Sequence, residues 1–482
     1  MPRLKTDLKR VISRFGGIGR LIGIYIFLCT LDVSVSLAKN VQAKEEQSRP
    51  NIIFVLTDDQ RWDALGAMGN TYIQTPHLDS LANAGVLFQN MYVTTSICCA
   101  SRASILTGEY ESRNGIDNFR QNLTRALAEQ TYPALLKDAG YETAFVGKFG
   151  VGTKAPGYIF NYFVDTEAGG LMQPNYIITD SKGQKIHDTD YITRHVLYFL
   201  EHVAKKSQPF CLSISYKAPH VQDGNPPKYI IQTRFRNLYK NEIIPMPVTD
   251  KPKFWKLMPP FFHTPLNVGH KRWKPLFSPK HYEKNVKGYY RLITGVDHSV
   301  GKIVNELKKL GFAKNTVIIF TSDNGEFMGA HELEGKWWGY QESVRVPLFI
   351  SSPLLPDKIK HSRPGEIALN IDIAPTILSL AHVAVPDSMQ GMDLISMLED
   401  KIQPREDFFY QHYFWGSPRI PKEEGVITTR FVYMNYIEYG YEELFDTKYD
   451  PHEIDNLARN PKYRKILDEM RKRYEVLKQE VK

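Results

Sequence analysis

The chain has 482 residues, of which 42% are hydrophobic and 24% are charged, and its formal net charge is +8. This composition is typical of a globular protein and excludes a largely disordered chain. The length allows one large domain with a smaller one, or two to three domains of ordinary size. The four cysteines are too few for a disulfide scaffold, and none has the spacing of a zinc site. The sequence contains no basic repeat of the kind that binds nucleic acid, so we expect no nucleic-acid partner.

The first 38 residues have the pattern of a secretory signal peptide. A basic segment precedes an apolar run over residues 21–31, and small residues that suit cleavage follow at 36–38 or 41–43. The apolar run is short for a membrane span, although an uncleaved anchor is the alternative. We therefore expect an exported protein, periplasmic or secreted, with no stable membrane insertion after cleavage.

A continuous apolar segment, residues 51–56, predicts a strand that is buried on both faces of a sheet. Asp58 and Asp59 follow it directly, and ligands of open α/β sheets collect at the carboxyl ends of strands. Two adjacent carboxylates repel each other unless a cation neutralises them, so both are candidate ligands of a hard metal ion. The alternative is a turn that an aspartate caps.

Residues 98–108 predict a polar turn that enters a short helix, with Ser101 as the N-cap and Gly108 as the residue that ends it. The Cys98 thiol would lie just ahead of this helix, where unpaired backbone N–H groups favour an anion. Arg102 adds a fixed positive charge beside it. This combination favours attack on, or binding of, an anionic group. The alternative is a pair of buried cysteines in front of a core helix.

Three later apolar segments also predict buried strands, and polar side chains follow each of them. In chain order these side chains are Lys148 after residues 142–146, His220 after residues 210–215, and Asp323 with Asn324 after residues 317–320. The carboxyl ends of parallel strands meet at one edge of a sheet, so we expect one site built from distant segments. The four oxygen donors at this edge favour Ca²⁺ or Mg²⁺ over Zn²⁺. For the histidine alone, a structural role is the alternative.

Helical patterns alternate with these strands at residues 75–85, 132–140, 189–205 and 289–310. This alternation predicts an α/β fold with a large, mostly parallel sheet that is flanked by helices. After about residue 396 the pattern changes to short strands and a charged closing helix. The change predicts a small C-terminal subdomain, an antiparallel sheet with a helix.

The segment 222–282 is irregular and rich in proline, lysine and aromatic residues. Long loops inside a compact domain are often functional. One interpretation is therefore the rim of a substrate site, with aromatic residues for sugar faces and basic residues for acidic groups. The alternative is a surface wrap that its own aromatic side chains hold together.

The motif CCASR at residues 98–102, with LTG at 106–108, resembles the signature of the type I, formylglycine-dependent sulfatases of the alkaline-phosphatase-like superfamily. The segment 322–350, which holds SDNG, Lys336 and ESVRVPL, resembles a second block of that family. The resemblance extends over most of the chain. It implies a catalytic sulfatase domain at residues 50–395 and a C-terminal subdomain at residues 396–482.

The resemblance also implies the chemistry of the site. A maturation enzyme would oxidise Cys98 to 3-oxoalanine (formylglycine), whose hydrated aldehyde would attack a sulfate ester. The implied ligands of the Ca²⁺ or Mg²⁺ ion are Asp58, Asp59, Cys98, Asp323 and Asn324. The implied catalytic residues are Cys98, Arg102, Lys148, His220 and Lys336. Of these, His220 would protonate the leaving alcohol, with His331 in reserve for that role. His331 is also expected to bind the substrate.

One position departs from the family pattern. At residues 147–152 the family usually has Gly-Lys-Trp-His-x-Gly, and here Lys148 matches the lysine while Gly150 stands where the histidine is expected. The expected function is hydrolysis of sulfate esters on a carbohydrate, with ulvan or carrageenan fragments as the first candidates and host glycosaminoglycans as the second. The alternatives are a phosphodiester or phosphonate hydrolase on the same scaffold, and an inactive carbohydrate-binding relative, which the missing histidine would favour.

Overall fold

The computed structural model describes residues 49–167 and 173–482. The expected signal peptide, residues 1–38, and its cleavage sites lie outside the described residues. Within the two described ranges, no helix combines the length and the apolar character that crossing a bilayer requires.

One large sheet organises the chain. The strands of the described residues are β1 (Asn51–Asp58), β2 (Val86–Phe88), β3 (Asn90–Tyr92), β4 (Glu142–Gly147), β5 (Tyr162–Asp165), β6 (Ile177–Thr179), β7 (Lys185–His187), β8 (Phe210–Pro219), β9 (Thr316–Ser322), β10 (Leu348–Ser351), β11 (Ile367–Leu369), β12 (Asp407–His412), β13 (Glu423–Thr428), β14 (Phe431–Tyr436) and β15 (Tyr441–Asp446). The large sheet has the spatial order β2-β10-β9-β1-β8-β4-β5. The neighbours from β9 to β5 pair in parallel, whereas β10, near one edge, pairs antiparallel with both β9 and β2. The predicted large, mostly parallel sheet is confirmed.

The sheet is covered on both faces, which explains why β1 is apolar throughout. Ile52 and Phe54 pack into the core on one face, and Ile53 and Val55 pack into the core on the other. Successive residues of a strand point to opposite faces, so a strand between two helical layers needs apolar side chains at every position.

Helices form the two layers. The helices of the described residues are α1 (Pro76–Ala84), α2 (Cys98–Thr107), α3 (Glu111–Asn114), α4 (Arg125–Glu129), α5 (Tyr132–Asp138), α6 (Asp188–Tyr198), α7 (Pro252–Trp255), α8 (Val268–Leu276), α9 (Tyr282–Leu310), α10 (Gln341–Val344), α11 (Ile373–Leu380), α12 (Leu394–Leu398) and α13 (Arg464–Glu480). Helices α6 and α9 contribute to the core on the Ile53 face, whereas α2 and α11 contribute to the core on the Ile52 face. The predicted α/β class is confirmed.

The C-terminal part holds a second sheet, which has the antiparallel order β12-β13-β14-β15. Leu467, Met470 and Tyr474 of α13 pack on it within the same apolar core as the Ile52 face of the large sheet. The predicted C-terminal sheet with its helix is confirmed. Residues 50–482 form one compact unit, and the domain boundary at residue 396 stays a prediction.

Candidate functional site

The parallel register brings distant polar side chains to one edge of the large sheet. Asp58 at the end of β1 lies opposite Pro219 of β8, and the residue before it lies opposite Ser322 of β9. The residues that follow these strands, His220 and Asp323, therefore emerge beside Asp58. This edge is the one at which the sequence predicted a site.

Helix α2 carries Cys98 to the same edge, although it begins earlier than predicted. Its first residue is Cys98 itself, so Ile97 holds the N-cap position and Ser101 lies in the first turn. The Ser101 hydroxyl does not cap the helix because it accepts a hydrogen bond from Asn370 Nδ2 (3.0 Å). Gly108 ends the helix in the left-handed region, with a φ of 69°, as predicted.

The Cys98 sulfur lies between a carboxylate and an ammonium group. Its distance is 3.3 Å to Asp58 Oδ1 and 3.2 Å to Lys336 Nζ. One potential ligand atom each from Asp58, Asp59, Cys98 and His220 lies within 4.8 Å of the others. All four side chains are buried, so their charges act on one another with little screening by water.

Buried ion pairs connect the acidic and basic residues of the site. Lys148 Nζ lies 2.5 Å from Asp58 Oδ2, and Lys336 Nζ bonds to Asp59 Oδ1. Although burial opposes ionisation of Asp58, its pKa is held well below the ordinary range by the positive charge of Lys148 and by other neighbours. Asp58 is therefore a carboxylate at neutral pH, which is the form that a metal ion needs.

Arg102 is fixed by three acceptors. Its Nε donates to Asp323 Oδ2 (2.7 Å), and its Nη1 donates to the Lys148 carbonyl (2.7 Å) and to Ser215 Oγ (2.6 Å). Its Nη2 is buried, lies 3.8 Å from Asp58 Oδ2 and has no hydrogen-bond partner among the described residues. The side chain cannot move without breaking several bonds, and the two N–H bonds of its Nη2 are left for an anion.

Gly150, which replaces the expected histidine, packs directly on Arg102. A Cβ at this position would lie 2.5 Å from Arg102 Cδ, and the φ of +74° is unfavourable for other residues. We expect Gly150→Ala to displace the guanidinium and lower the activity of the site by at least about tenfold. The matched control is Gly140→Ala, because its φ is +89° and no atom lies within 4 Å of the new Cβ. That variant should lose only about 1–2 kcal/mol of stability, and equal activity of the two variants would contradict the prediction.

His220 is a neutral imidazole in this arrangement. Its Nδ1 donates to the Val221 carbonyl (2.6 Å), so Nε2 carries the lone pair, 3.4 Å from Asp59 Oδ2. Burial lowers the pKa of His220 to about 4, although Asp59 and Asp58 oppose the shift. His220 must therefore take up a proton before it can act as an acid.

Gln173 is a site residue that the sequence did not predict. Its Oε1 accepts a hydrogen bond from Lys148 Nζ (3.0 Å), and its Nε2 lies 3.4 Å from His220 Nε2. It lies well beyond the end of β5 rather than directly after a strand, and it belongs to no motif, so no pattern in the sequence singles it out.

The oxygen-rich part of the site fits a hard divalent cation. Asn324 donates through Nδ2 to Asp59 Oδ1 (2.5 Å), and its buried Oδ1 has no hydrogen-bond partner within the described ranges. Asp323 adjoins the cluster, since its Oδ1 accepts from the Asp59 N–H (3.1 Å). Carboxylate and amide oxygens are the ligands that Ca²⁺ and Mg²⁺ prefer. The orphaned amide oxygen beside Asp58 and Asp59 is what such an ion would satisfy.

A cavity of about 640 Å³ opens onto Cys98. Its floor includes Asp59, Cys98, His220 and Lys336, and its walls come from loops and from helix α8 rather than from the sheet. The wall residues are Asp117, Asn118, Phe119, Arg120, Gln173, Asp223, Val268, Arg272, Glu334, Trp337, Tyr413, Phe414 and Trp415. The C-terminal subdomain therefore contributes to the cavity through the loop between β12 and β13.

The segment 222–282 lines this cavity with Asp223, Val268 and Arg272, whereas most of its aromatic residues do not reach it. It contains helices α7 and α8, and most of its aromatic side chains pack on one another or on the C-terminal sheet. Trp255 stacks on His270 with ring centroids 4.2 Å apart, and Phe261 stacks on Tyr439 at 3.9 Å. Among its basic residues, Arg272 lines the cavity. The surface-wrap interpretation therefore describes most of the segment.

His331 does not line the cavity that contains Cys98. It is buried, its ring centroid lies 5.0 Å from that of Tyr340, and it borders a small separate cavity with Met258 and Glu443. The structure thus brings together all the predicted site residues except this one.

The sequence matches two protein families. Residues 50–383 match the family described as Sulfatase, and residues 329–480 match the family described as N-sulphoglucosamine sulphohydrolase, C-terminal. The first match alone spans more than half of the chain.

Individual relatives are similar along nearly the whole chain. An N-acetylglucosamine-6-O-sulfatase of Bacteroides thetaiotaomicron is 30% identical over 92% of this chain and 89% of the relative. An ulvan-active sulfatase of Formosa agariphila is 28% identical over 90% of this chain and 81% of the relative. A solved structure described as a complex with its substrate D-glucosamine-2-N,6-O-disulfate has a TM-score of 0.76 and 28% identity, over 90% of this chain and 98% of that chain.

Proposed function

The chain belongs to the sulfatase family and is a hydrolase of sulfuric esters, and from this premise we propose that it desulfates a carbohydrate with a formylglycine made from Cys98. The observation that carries the proposal is the position of Cys98. It is the first residue of α2, between the carboxylate of Asp58 and the ammonium group of Lys336, on the floor of a cavity.

The raised pKa of the Cys98 thiol is an argument that the unmodified cysteine is not the nucleophile. Burial, reinforced by the negative charge of Asp58, raises this pKa well above its ordinary value, although Lys148 and Lys336 oppose the shift. The thiol is therefore protonated at neutral pH, and a protonated thiol is a poor nucleophile. A hydrated formylglycine would supply a hydroxyl group for attack and a second hydroxyl group whose proton can leave as sulfate is expelled.

Arg102, Lys148 and Lys336 are proposed to bind the sulfate group. Burial lowers the pKa of both lysines, but the negative charge of Asp58 raises the pKa of Lys148, and that of Asp59 raises the pKa of Lys336. The pKa of each lysine is higher than usual as a result, so both ammonium groups stay charged. In a cavity with few competing water dipoles, such charges stabilise negative oxygens strongly. These residues would neutralise the sulfate on arrival and the charge that shifts toward its oxygens during the reaction.

Asp58, Asp59 and Asn324 are proposed to hold a Ca²⁺ ion, with Mg²⁺ as the alternative, and Asp323 and the modified Cys98 would complete the ligand set. When bound, the ion would withdraw charge from a sulfate oxygen and favour ionisation of the attacking hydroxyl group. The lysines that now pair with the aspartates would then be free to turn toward the sulfate.

His220 remains the proposed proton donor to the leaving alcohol. The negative charge of a bound sulfate ester would favour its protonation, since opposite charges raise the pKa of a base. The family usually has a histidine at the position of Gly150. We propose that Gln173 takes over the role of that missing histidine, because Gln173 contacts both Lys148 and His220. It would hold Lys148 in reach of the nucleophile.

We propose a sulfated amino sugar as the substrate, because the similar N-acetylglucosamine-6-O-sulfatase and the similar structure with bound glucosamine disulfate both handle one. Ulvan or carrageenan fragments stay a prediction, which similarity to an ulvan-active sulfatase supports. Export and the partnership with a maturation enzyme also stay predictions.

A panel of esters tests the reaction. The purified protein, with the Cys98 peptide checked for formylglycine by mass spectrometry, is given glucosamine 6-sulfate derivatives, an ulvan oligosaccharide, a phosphodiester and a phosphonate monoester. We expect kcat/KM on a sulfated sugar to exceed that on the phosphorus esters by at least about a hundredfold. Preference for a phosphorus ester would overturn the proposal, and inactivity of the modified protein on every ester would favour the binding-only alternative.

Removing the metal should lower sulfate release by at least about a hundredfold, because the carboxylates would again be neutralised by the lysines that the sulfate needs. The measurement is activity after dialysis against a chelator, then after addition of Ca²⁺ or Mg²⁺. Saturating Ca²⁺ should also raise the free energy of unfolding by about 2–3 kcal/mol at a hundred times its dissociation constant. Full activity of a protein shown to be metal-free would contradict the metal assignment.

A further inference from the structure

One wall of the cavity is formed by aromatic side chains that the proposed reaction does not use. Phe119 comes from the segment between α3 and α4, and Phe414 and Trp415 come from the loop between β12 and β13. Phe119 meets Phe414 edge-on with ring centroids 5.6 Å apart, and Phe414 stacks on Trp415 at 4.7 Å. Trp415 is 56% exposed, although Phe414 stacks on its indole and the Arg419 guanidinium lies 5.4 Å from the ring centroid, so part of the indole remains open to a ligand.

The backbone at Trp415 is strained, and hydrogen bonds to Glu438 fix the loop that carries it. Trp415 has a φ of 66°, in the left-handed region that a bulky residue rarely adopts. The carboxylate of Glu438 accepts hydrogen bonds from the backbone N–H groups of Ser417 (2.9 Å) and Lys422 (2.7 Å), which fixes the loop. A strained backbone that leaves a large apolar side chain exposed is typical of a binding site.

The same rim carries a guanidinium group without an acidic partner. Arg120 lines the cavity, is exposed and forms no ion pair with any residue that the structure describes. By contrast, Arg272 is neutralised by Glu334 (2.5 Å) and Asp223 (3.2 Å). Arg120 is therefore the wall arginine that can accept an anionic group of a ligand.

From these contacts we propose that Trp415, Phe414 and Phe119 bind the sugar ring next to the sulfated unit, and that Arg120 binds an acidic group of that sugar. This inference rests on the proposed function and specifies its substrate as an acidic oligosaccharide. The C–H face of a sugar ring is apolar and matches an aromatic wall, and a carboxylate or a second sulfate matches the guanidinium fork. The cavity volume lies within the range of about 300–1,000 Å³ that is usual for sites enclosing a whole ligand.

The test compares two substrates that differ only in the additional sugars. They are the monosaccharide D-glucosamine-2-N,6-O-disulfate and a uronate-containing tetrasaccharide with this unit at its non-reducing end. The quantity compared is kcat/KM for the tetrasaccharide divided by kcat/KM for the monosaccharide. We expect Trp415→Ala to lower this ratio by about tenfold, because the apolar contact with the additional sugar is lost. Trp415→Phe should lower the ratio less. The control is Tyr449→Ala, since Tyr449 is 72% exposed and lies outside the cavity wall. Its ratio should equal that of the wild type.

A second arm tests the arginine. Arg120→Gln should lower the same ratio by about five- to tenfold, and reducing the uronate carboxylates of the tetrasaccharide to alcohols should remove this difference between wild type and variant. Unchanged ratios in Trp415→Ala or in Arg120→Gln would overturn the inference.

Calorimetric binding to Cys98→Ala protein separates this inference from the proposed function. If no ester is turned over, the proposed function fails, and the binding measurement still decides the inference. Tetrasaccharide affinity must exceed monosaccharide affinity, and Trp415→Ala must remove that excess. Equal affinities for the two sugars would overturn the inference.

Discussion

Replacing Cys98 with alanine is expected to abolish sulfate release, with a fall in kcat of at least about a thousandfold. The proposed nucleophile would be absent, while Asp58 and Lys336 would still pair with the rest of the site. The side chain is small and buried, so the variant should fold and keep its far-UV circular dichroism spectrum. The measurement is sulfate release from a sulfated sugar by protein of equal folded concentration.

The matched control is Cys99→Ala. Cys99 is the next residue of α2 and is equally buried, but it does not line the cavity. Loss of its sulfur should cost about 1 kcal/mol of stability and leave kcat within about twofold of the wild type. A Cys98→Ala protein that keeps near-normal rates, or a Cys99→Ala protein that loses them, would refute the assignment of the nucleophile.

Asp58→Asn is expected to lower sulfate release by more than about a hundredfold and to prevent binding of the proposed divalent ion. The amide cannot neutralise Lys148 or a metal ion, and it leaves the Lys148 charge buried without its partner at 2.5 Å. Loss of one partner of a buried ion pair typically costs about 3–5 kcal/mol. The measurements are metal content by mass spectrometry, sulfate release and the free energy of unfolding in urea.

The control separates a loss of stability from a loss of the site. Asp372 is also fully buried and bonds to Arg405 through two contacts, 2.5 and 2.6 Å long, but it lies outside the cavity. Asp372→Asn should lose a similar amount of stability, about 3–5 kcal/mol, and keep its metal and its activity while folded. If Asp58→Asn retained stoichiometric metal, Asp58 would not be a ligand.

The convergence of Asp58, His220 and Asp323 could be predicted from the sequence because each follows an apolar run long enough for a buried strand. A parallel sheet places the carboxyl ends of its strands at one edge, so the order of strands did not need to be known. Lys148 was predictable on the same ground. Cys98 required the helix-start pattern and the family resemblance together, since a buried cysteine is by itself more often a core residue.

The walls of the cavity could not be predicted in this way. Gln173, Phe119 and Trp415 lie in loops, where no periodicity links a residue to a face or an edge. Their positions depend on tertiary contacts, such as the bonds of Glu438 to the loop that carries Trp415. The resemblance predicted a substrate-binding role for His331, which stays a prediction, while the structure places its ring beside Tyr340 and outside the wall of the main cavity.

The complete burial of Cys98 would fix when the proposed maturation takes place. An enzyme cannot reach a side chain that has 0% of its surface exposed, so the proposed maturation enzyme would have to act while this segment is still unfolded. The sheet that buries Cys98 forms late, because Asn51 of β1 pairs with Thr316 of β9, a residue 265 positions further along the chain. Strands so far apart in sequence find each other slowly. The time before the sheet closes would therefore be the interval in which the proposed oxidation of Cys98 can occur.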